Sequence, residues 1–191
     1  MMLRNLISLA IAIAPVTAAL AEPVDFSTAD QMLFDPDGAE VAIFPDAGLS
    51  DEDRQRIAVV GSQQVYYGAF AISPDEGLLS EATAAVANFN SADAAMRAAL
   101  TECNTRRKSG TAQCVPAAHI RPKGWEARTL QLSATGTEAV RGDYRALPSP
   151  KAFAASQSTG GWAMTSGSAD DAVSECASKT GAEDCTVVLR D

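Results

Sequence analysis

Apolar and polar positions alternate along this chain in short blocks with two distinct periods. The clearest period-two block is Gln64–Ser73, which contains Val65-Tyr66-Tyr67-Gly68-Ala69-Phe70-Ala71-Ile72. Tyr66, Phe70 and Ile72 fall on one face of the predicted strand, and Pro74-Asp75-Glu76-Gly77 ends it in a turn. Glu40–Phe44, Cys114–Ile120, Ala127–Ser133, Ala152–Ser156, Gly161–Met164 and Cys185–Leu189 also read as strands, the last through its β-branched run. Helical spacing is strongest after Ser91, where Ala92, Met96, Leu100 and Cys103 form one stripe. Arg106, Arg107 and Lys108 then sit near the helix C-terminus, where cations are favoured. Ser50 and Ser168 each precede acidic first turns and predict two more capped helices, the second running to about Lys179 and stopped by Gly181. Thr28 and Gln31 have capping-box spacing and predict a short helix with Thr28 as N-cap. Residues 134–149, rich in Thr, Gly, Pro and charge, read as a linker.

Part of this pattern recurs. Ala69-Phe70-Ala71-Ile72-Ser73 matches Ala152-Phe153-Ala154-Ala155-Ser156. Ser91-Ala92-Asp93 matches Ser168-Ala169-Asp170, and Ala99-Leu100-Thr101-Glu102-Cys103 matches Ala172-Val173-Ser174-Glu175-Cys176. The first helix is longer by about one turn, which keeps the same faces inward. These blocks predict an α+β fold of two related strand–helix–strand units, 64–133 and 150–191, sharing a small antiparallel sheet. Leu100 and Val173 would face equivalent core positions. Residues 22–63 form an N-terminal segment with short helices and a strand. Four cysteines allow three pairings. The repeat favours Cys103–Cys114 and Cys176–Cys185, with a bridge between repeats as the alternative.

The first residues add a destination. Met1–Arg4 is short and positive, Leu6–Ala14 is apolar apart from Ser8, Pro15 breaks the run, and Ala19-Leu20-Ala21 is a small-x-small site. This predicts a secretory signal peptide over 1–21, cleaved before Glu22. The apolar run is shorter than the roughly 20 residues a permanent span needs, and no cysteine stands at the cleavage site to carry a lipid. A periplasmic or secreted protein with no stable membrane anchor is expected, and an even cysteine count in such a chain reads as two disulfides. Those staples matter because the core is lean. The sequence is 47% hydrophobic but much of that is alanine, and aromatics are only 6%, so each half would be marginal alone. The formal charge is −9, and removing Arg4 with the leader makes it one unit more negative. An acidic chain repels phosphate backbones, which excludes nucleic acid as a partner.

Candidate chemistry is sparse. His119 is the only histidine, so no multi-histidine metal site exists. No Gly-x-Ser-x-Gly elbow and no Cys-x-x-Cys occurs. Asp35-Pro36-Asp37-Gly38 begins like a calcium loop, but its glycine comes two positions early and later ligand positions hold Ala39 and Val41. No catalytic, cofactor-binding or metal-binding set is predicted. Trp125, Trp162, Tyr66 and Tyr67 are candidate binding aromatics, with core anchoring as the plainer role for each. The expected function is a non-enzymatic binding or interaction module for an envelope protein, peptide or glycan. The alternatives are a small hydrolase using carboxylates, with His119 as a helper, and an inhibitor of an exported hydrolase.

The blocks Ala-Phe-Ala-x-Ser, Ala-Leu-Thr-Glu-Cys and Cys-Val, with their counterparts Ala-Val-Ser-Glu-Cys and Cys-Thr-Val-Val, resemble the secreted DUF4189-type domains. The resemblance covers about 66–120 and 151–189. It implies a strand pair leading to a helix that ends in Cys, then a second Cys opening a strand. It implies no catalytic residue. The chain also resembles short exported bacterial proteins labelled "5-aminolevulic acid synthase". Such a synthase would need a large pyridoxal-phosphate fold and a Schiff-base lysine, for which residues 22–191 are too few.

Overall fold

Alanine-lined strands and serine-capped helices build residues 22–191, the part described by the computed structural model; the predicted leader, 1–21, lies outside the described residues. The elements run in the order α1 (Phe26–Met32), β1 (Ala39–Ile43), α2 (Asp51–Gly61), β2 (Gly68–Ile72), β3 (Ala84–Val86), α3 (Ala92–Arg106), β4 (Val115–Pro122), α4 (Ala134–Ala139), β5 (Lys151–Ser156), β6 (Trp162–Ser166), α5 (Ala169–Thr180) and β7 (Cys185–Arg190). Helix α4 continues through a π-turn, Val140–Tyr144. The fold is α+β, and all strand pairs are antiparallel. The sheet is not shared between the units. One sheet has the order β1-β4-β2-β3 and the other β6-β5-β7.

The repeat is visible in three dimensions. β2 and β5 are the matching central strands, each flanked by its hairpin partner and by the strand that follows the long helix. Each central strand carries a register shift at the same point of the repeat, Phe70/Ala71 and Phe153/Ala154. Ala69 and Ala71 face Ala95, Ala99 and Cys103 of α3, while Ala152 and Ala154 face Ala172 and Cys176 of α5. Small side chains on both surfaces let each helix lie close to its sheet. Leu100 and Val173 are partly buried at the edges of these two clusters, in equivalent places.

The opposite sheet faces carry the large residues. Phe70, Ile72 and Ile120 pack with Ile57 of α2. Phe153 and Leu189 pack with Val140 and Tyr144 of the π-turn, Ala29 and Leu33 of the α1 region, and Leu130 and Leu132. Each unit therefore begins one helix earlier than its sequence match, with α2 before β2 and α4 before β5. Residues 134–149, read as a linker, are largely this helix. Ser133 caps it, accepting from the Gly136 N–H at 3.1 Å, and Thr137, Val140 and Tyr144 are buried. The Tyr144 hydroxyl donates to Asp191 Oδ2 at 2.8 Å, and Asp191 Oδ1 accepts from the Phe26 N–H at 3.0 Å, so one carboxylate ties α1 and the π-turn together.

Other elements also differ from the sequence pattern. Ala127–Ser133 forms no strand, because Leu130 and Leu132 alternate into the core without a neighbour to pair with. The N-cap of α1 is Asp25, whose carboxylate accepts from the Thr28 N–H at 2.7 Å. Tyr66 leaves the face of Phe70 and Ile72 and joins Tyr67, Phe34, Ala92 and Ala134 in a separate cluster. Ser50, Ser91 and Ser168 cap their helices as the pattern predicts, and Gly181 ends α5 at φ +69°.

Both disulfides lie within a unit, Cys103–Cys114 and Cys176–Cys185, each with Cα atoms 6.1 Å apart. Each joins the last turns of a long helix to the strand that returns beneath it. Restricting the unfolded chain is worth about 2–4 kcal/mol per bridge. Cys103→Ser/Cys114→Ser and Cys176→Ser/Cys185→Ser should each lower the unfolding free energy read from urea denaturation by that amount, and to similar extents, since the loops span 11 and 9 residues. A double variant as stable as the parent would remove the bridge from the stability argument.

Candidate functional site

β7 is an edge strand, and its outer side is only partly occupied. Val24 lies along it in a parallel bridge to Leu189. The Val24 N–H donates to Val188 O at 3.1 Å, and Val24 O accepts from the Arg190 N–H at 3.0 Å. Among the described residues, no backbone group bonds the outer side of Cys185–Val187.

Facing that edge is the extended segment around Thr129–Gln131. Its course is set by Leu130 and Leu132, which anchor in the core beside Phe153 and Leu189. Between the two walls lies a cleft of about 270 Å³. Thr186, Val187 and Val188 form one wall and Thr129, Leu130 and Gln131 the other. Met32 from α1, Ser91 at the start of α3, Gln157 after β5, and Glu22 and Val24 complete its lining. Glu22 is the only charged residue in this lining, and no aromatic ring contributes. Gln131 Oε1 is shielded from solvent and has no hydrogen-bond donor. Hydroxyls, amides and β-branched side chains can hold a polar chain by hydrogen bonds and shape. They offer no nucleophile–base pair.

The four candidate aromatics fall into two groups, and neither lines the cleft. Tyr66 and Tyr67 meet edge to face, with centroids 5.2 Å apart, and each is only 1% exposed. Burial pushes both phenols above their ordinary range. Trp125 packs against the same cluster, with the Arg121 guanidinium 4.6 Å from its ring centroid. Trp162 is elsewhere, stacked on Phe153 at 5.3 Å and 18°. The arrangement gives these rings packing roles.

His119 sits edge-on to Phe44, with centroids 5.1 Å apart. Burial and the nearby Arg121 lower its pKa against the opposing pull of Asp93. No hydrogen bond joins it to a hydroxyl or thiol among the described residues, and its Nε2 is buried without a partner. The closest approach to a catalytic pair is Ser156 donating to Asp184 Oδ1 at 2.6 Å. Burial pushes the Asp184 carboxyl up, but hydrogen bonds from Ser156 and Ser158 outweigh it and hold it below the usual range. Ser156 also accepts from the Ser158 and Thr159 N–H groups, so its hydroxyl shapes the turn after β5. All four cysteines are oxidised. Among the described residues, no three metal-ligating side chains converge, and no helix is long and apolar enough to cross a membrane.

The cleft residues carry no local sequence signature. The one available signal is the alternation at Ala127–Ser133, which reflects anchoring of one wall and not strand pairing. Comparison of the chain with family models, with curated proteins and with solved structures finds no match.

Proposed function

We propose that this chain is a non-enzymatic exported binding module and that the cleft beside β7 is its ligand site. The observation that carries this reading is the half-occupied β7 edge facing an anchored, extended segment across a cleft of about 270 Å³. The lining contains one carboxylate, Glu22, whereas acid–base hydrolysis of a glycoside requires two. The lack of a ring in the lining favours a polypeptide ligand over a glycan. The two disulfides and the leader pattern support export. The paired units, each with a bridge from helix end to closing strand, also support the proposed kinship with DUF4189-type domains.

The test is comparative capture from an envelope extract, using the purified oxidised protein as bait. Gln157→Trp should fill the rim of the cleft from an exposed position without disturbing the core. It is expected to lose a captured partner by about tenfold or more, while the same change at the exposed Glu52 of α2 keeps it. Equal capture by both variants would overturn the assignment of the cleft.

A further inference from the structure

We infer that the cleft takes an extended, basic segment of another polypeptide, which adds to the outer edge of β7 as a further strand. This rests on the cleft being the ligand site and specifies what fills it. The edge already accepts an added backbone: Val24 makes two main-chain bonds to β7, at 3.1 and 3.0 Å. That pairing is limited to Val24, and the outer side of Thr186–Val187 borders the cleft without a backbone partner among the described residues. An incoming strand would continue an interface that Val24 has begun. Main-chain bonds supply affinity in this mode, and alternate side chains meet the flanking walls.

The character of the edge supports the same conclusion. Open edges are usually blunted by Pro, by Lys or by very short strands. β3, at one edge of the first sheet, is only three residues long. β7 has six residues with a bulge at Val188, and the stretch beyond that bulge, Cys185-Thr186-Val187, contains no proline and no charge. Its cleft-side stretch is therefore left competent to pair. Val187 and Val188 also offer apolar contact to alternate side chains of an incoming strand.

Charge selects the sign of the partner. The chain carries a formal −9, and neither Lys nor Arg lines the cleft. An acidic field steers a basic segment toward the site and disfavours an acidic one. A glycan would leave the strand edge unpaired, and an anionic ligand would meet no cation in the lining.

Three blocked octapeptides test this against the purified oxidised protein: alternating Lys and Thr, alternating Glu and Thr, and the Lys-Thr peptide with every backbone amide N-methylated. Fluorescence anisotropy gives affinity, and amide hydrogen exchange locates binding. The Lys-Thr peptide should bind at least about tenfold more tightly than either other peptide and should slow exchange at Cys185–Val187. Equal binding of the N-methylated peptide, or protection confined to another surface, would overturn strand addition. So would absence of peptide binding to a protein whose Gln157→Trp variant has lost its envelope partner; the cleft assignment would survive that result. If the peptide protects β7 while Gln157→Trp still captures the envelope partner, strand addition stands and the proposed function falls. Concentration-dependent self-association that protects β7 without peptide would replace the basic segment with a second copy of this chain.

Discussion

Phe153→Ala should destabilise the protein by about 3–5 kcal/mol, the range for removing a fully buried phenylalanine. The side chain is completely buried at the centre of the second sheet. Tyr144 meets its ring edge to face at 5.9 Å, and Trp162 stacks on it at 5.3 Å. On the neighbouring strands it stands opposite Met164 and Leu189. These neighbours come from the π-turn, β6 and β7, each held by its own backbone bonds, so the void left by alanine cannot close cheaply. Natural domains are stable by only about 5–15 kcal/mol, and this change would remove a large share. Urea denaturation should show a lower midpoint with an unchanged slope. Phe153→Leu, which keeps most of the volume, should cost less than about 1.5 kcal/mol. A loss below about 1 kcal/mol for the alanine variant would show that this ring is not the centre of the core.

The second large effect is expected where the two units meet. Asn90 is 3% exposed and immediately precedes the N-cap of α3. Its Nδ2 donates to Ser156 O and Gly161 O, both at 3.0 Å, and its Oδ1 accepts from the Ser133 N–H at 3.0 Å. Its own N–H donates to Thr159 O at 2.9 Å. One side chain therefore links the first unit to the turn after β5 and to the start of α4. Asn90→Ala leaves the Ser133 N–H and Ser156 O without these partners, at about 1–3 kcal/mol for each buried group. A total loss of about 2–6 kcal/mol follows, read by the same urea titration. The neighbouring backbone has little room to compensate. A Cβ on Gly160 would lie 1.7 Å from Asn88 O, so the units already touch main chain to main chain. A change below about 0.5 kcal/mol would mean that other contacts hold the junction.

Local signals in the sequence were enough to identify much of the fold. Ser50, Ser91 and Ser168 announce helices because a hydroxyl satisfies a free N–H in the first turn. The recurring Ala-Phe-Ala blocks announce central strands, and the repeat supplies the cysteine pairing. Tertiary competition hid the rest. Residues 134–149 look like a linker because Thr and Gly weaken the helical pattern; burial of Thr137, Val140 and Tyr144 stabilises the helix regardless. Leu130 and Leu132 show strand alternation, yet pairing depends on a neighbour that one segment cannot specify. Tyr66 and Tyr67 look available for binding until the fold packs Phe34 against them. The cleft was not legible at all. Its walls come from residues 22, 24, 32, 91, 129–131, 157 and 186–188, which meet only after both units have formed.

The cysteine connectivity has a consequence for biogenesis. The first cysteine pairs with the second and the third with the fourth, and the span from Cys114 to Cys176 is crossed by neither bridge. A chain that enters an oxidising compartment N-terminus first exposes its thiols in the order in which they pair. Cys103 and Cys114 can close before Cys176 emerges, and the remaining two then have only each other. Entry in that order would let both native bonds form without a mispaired intermediate.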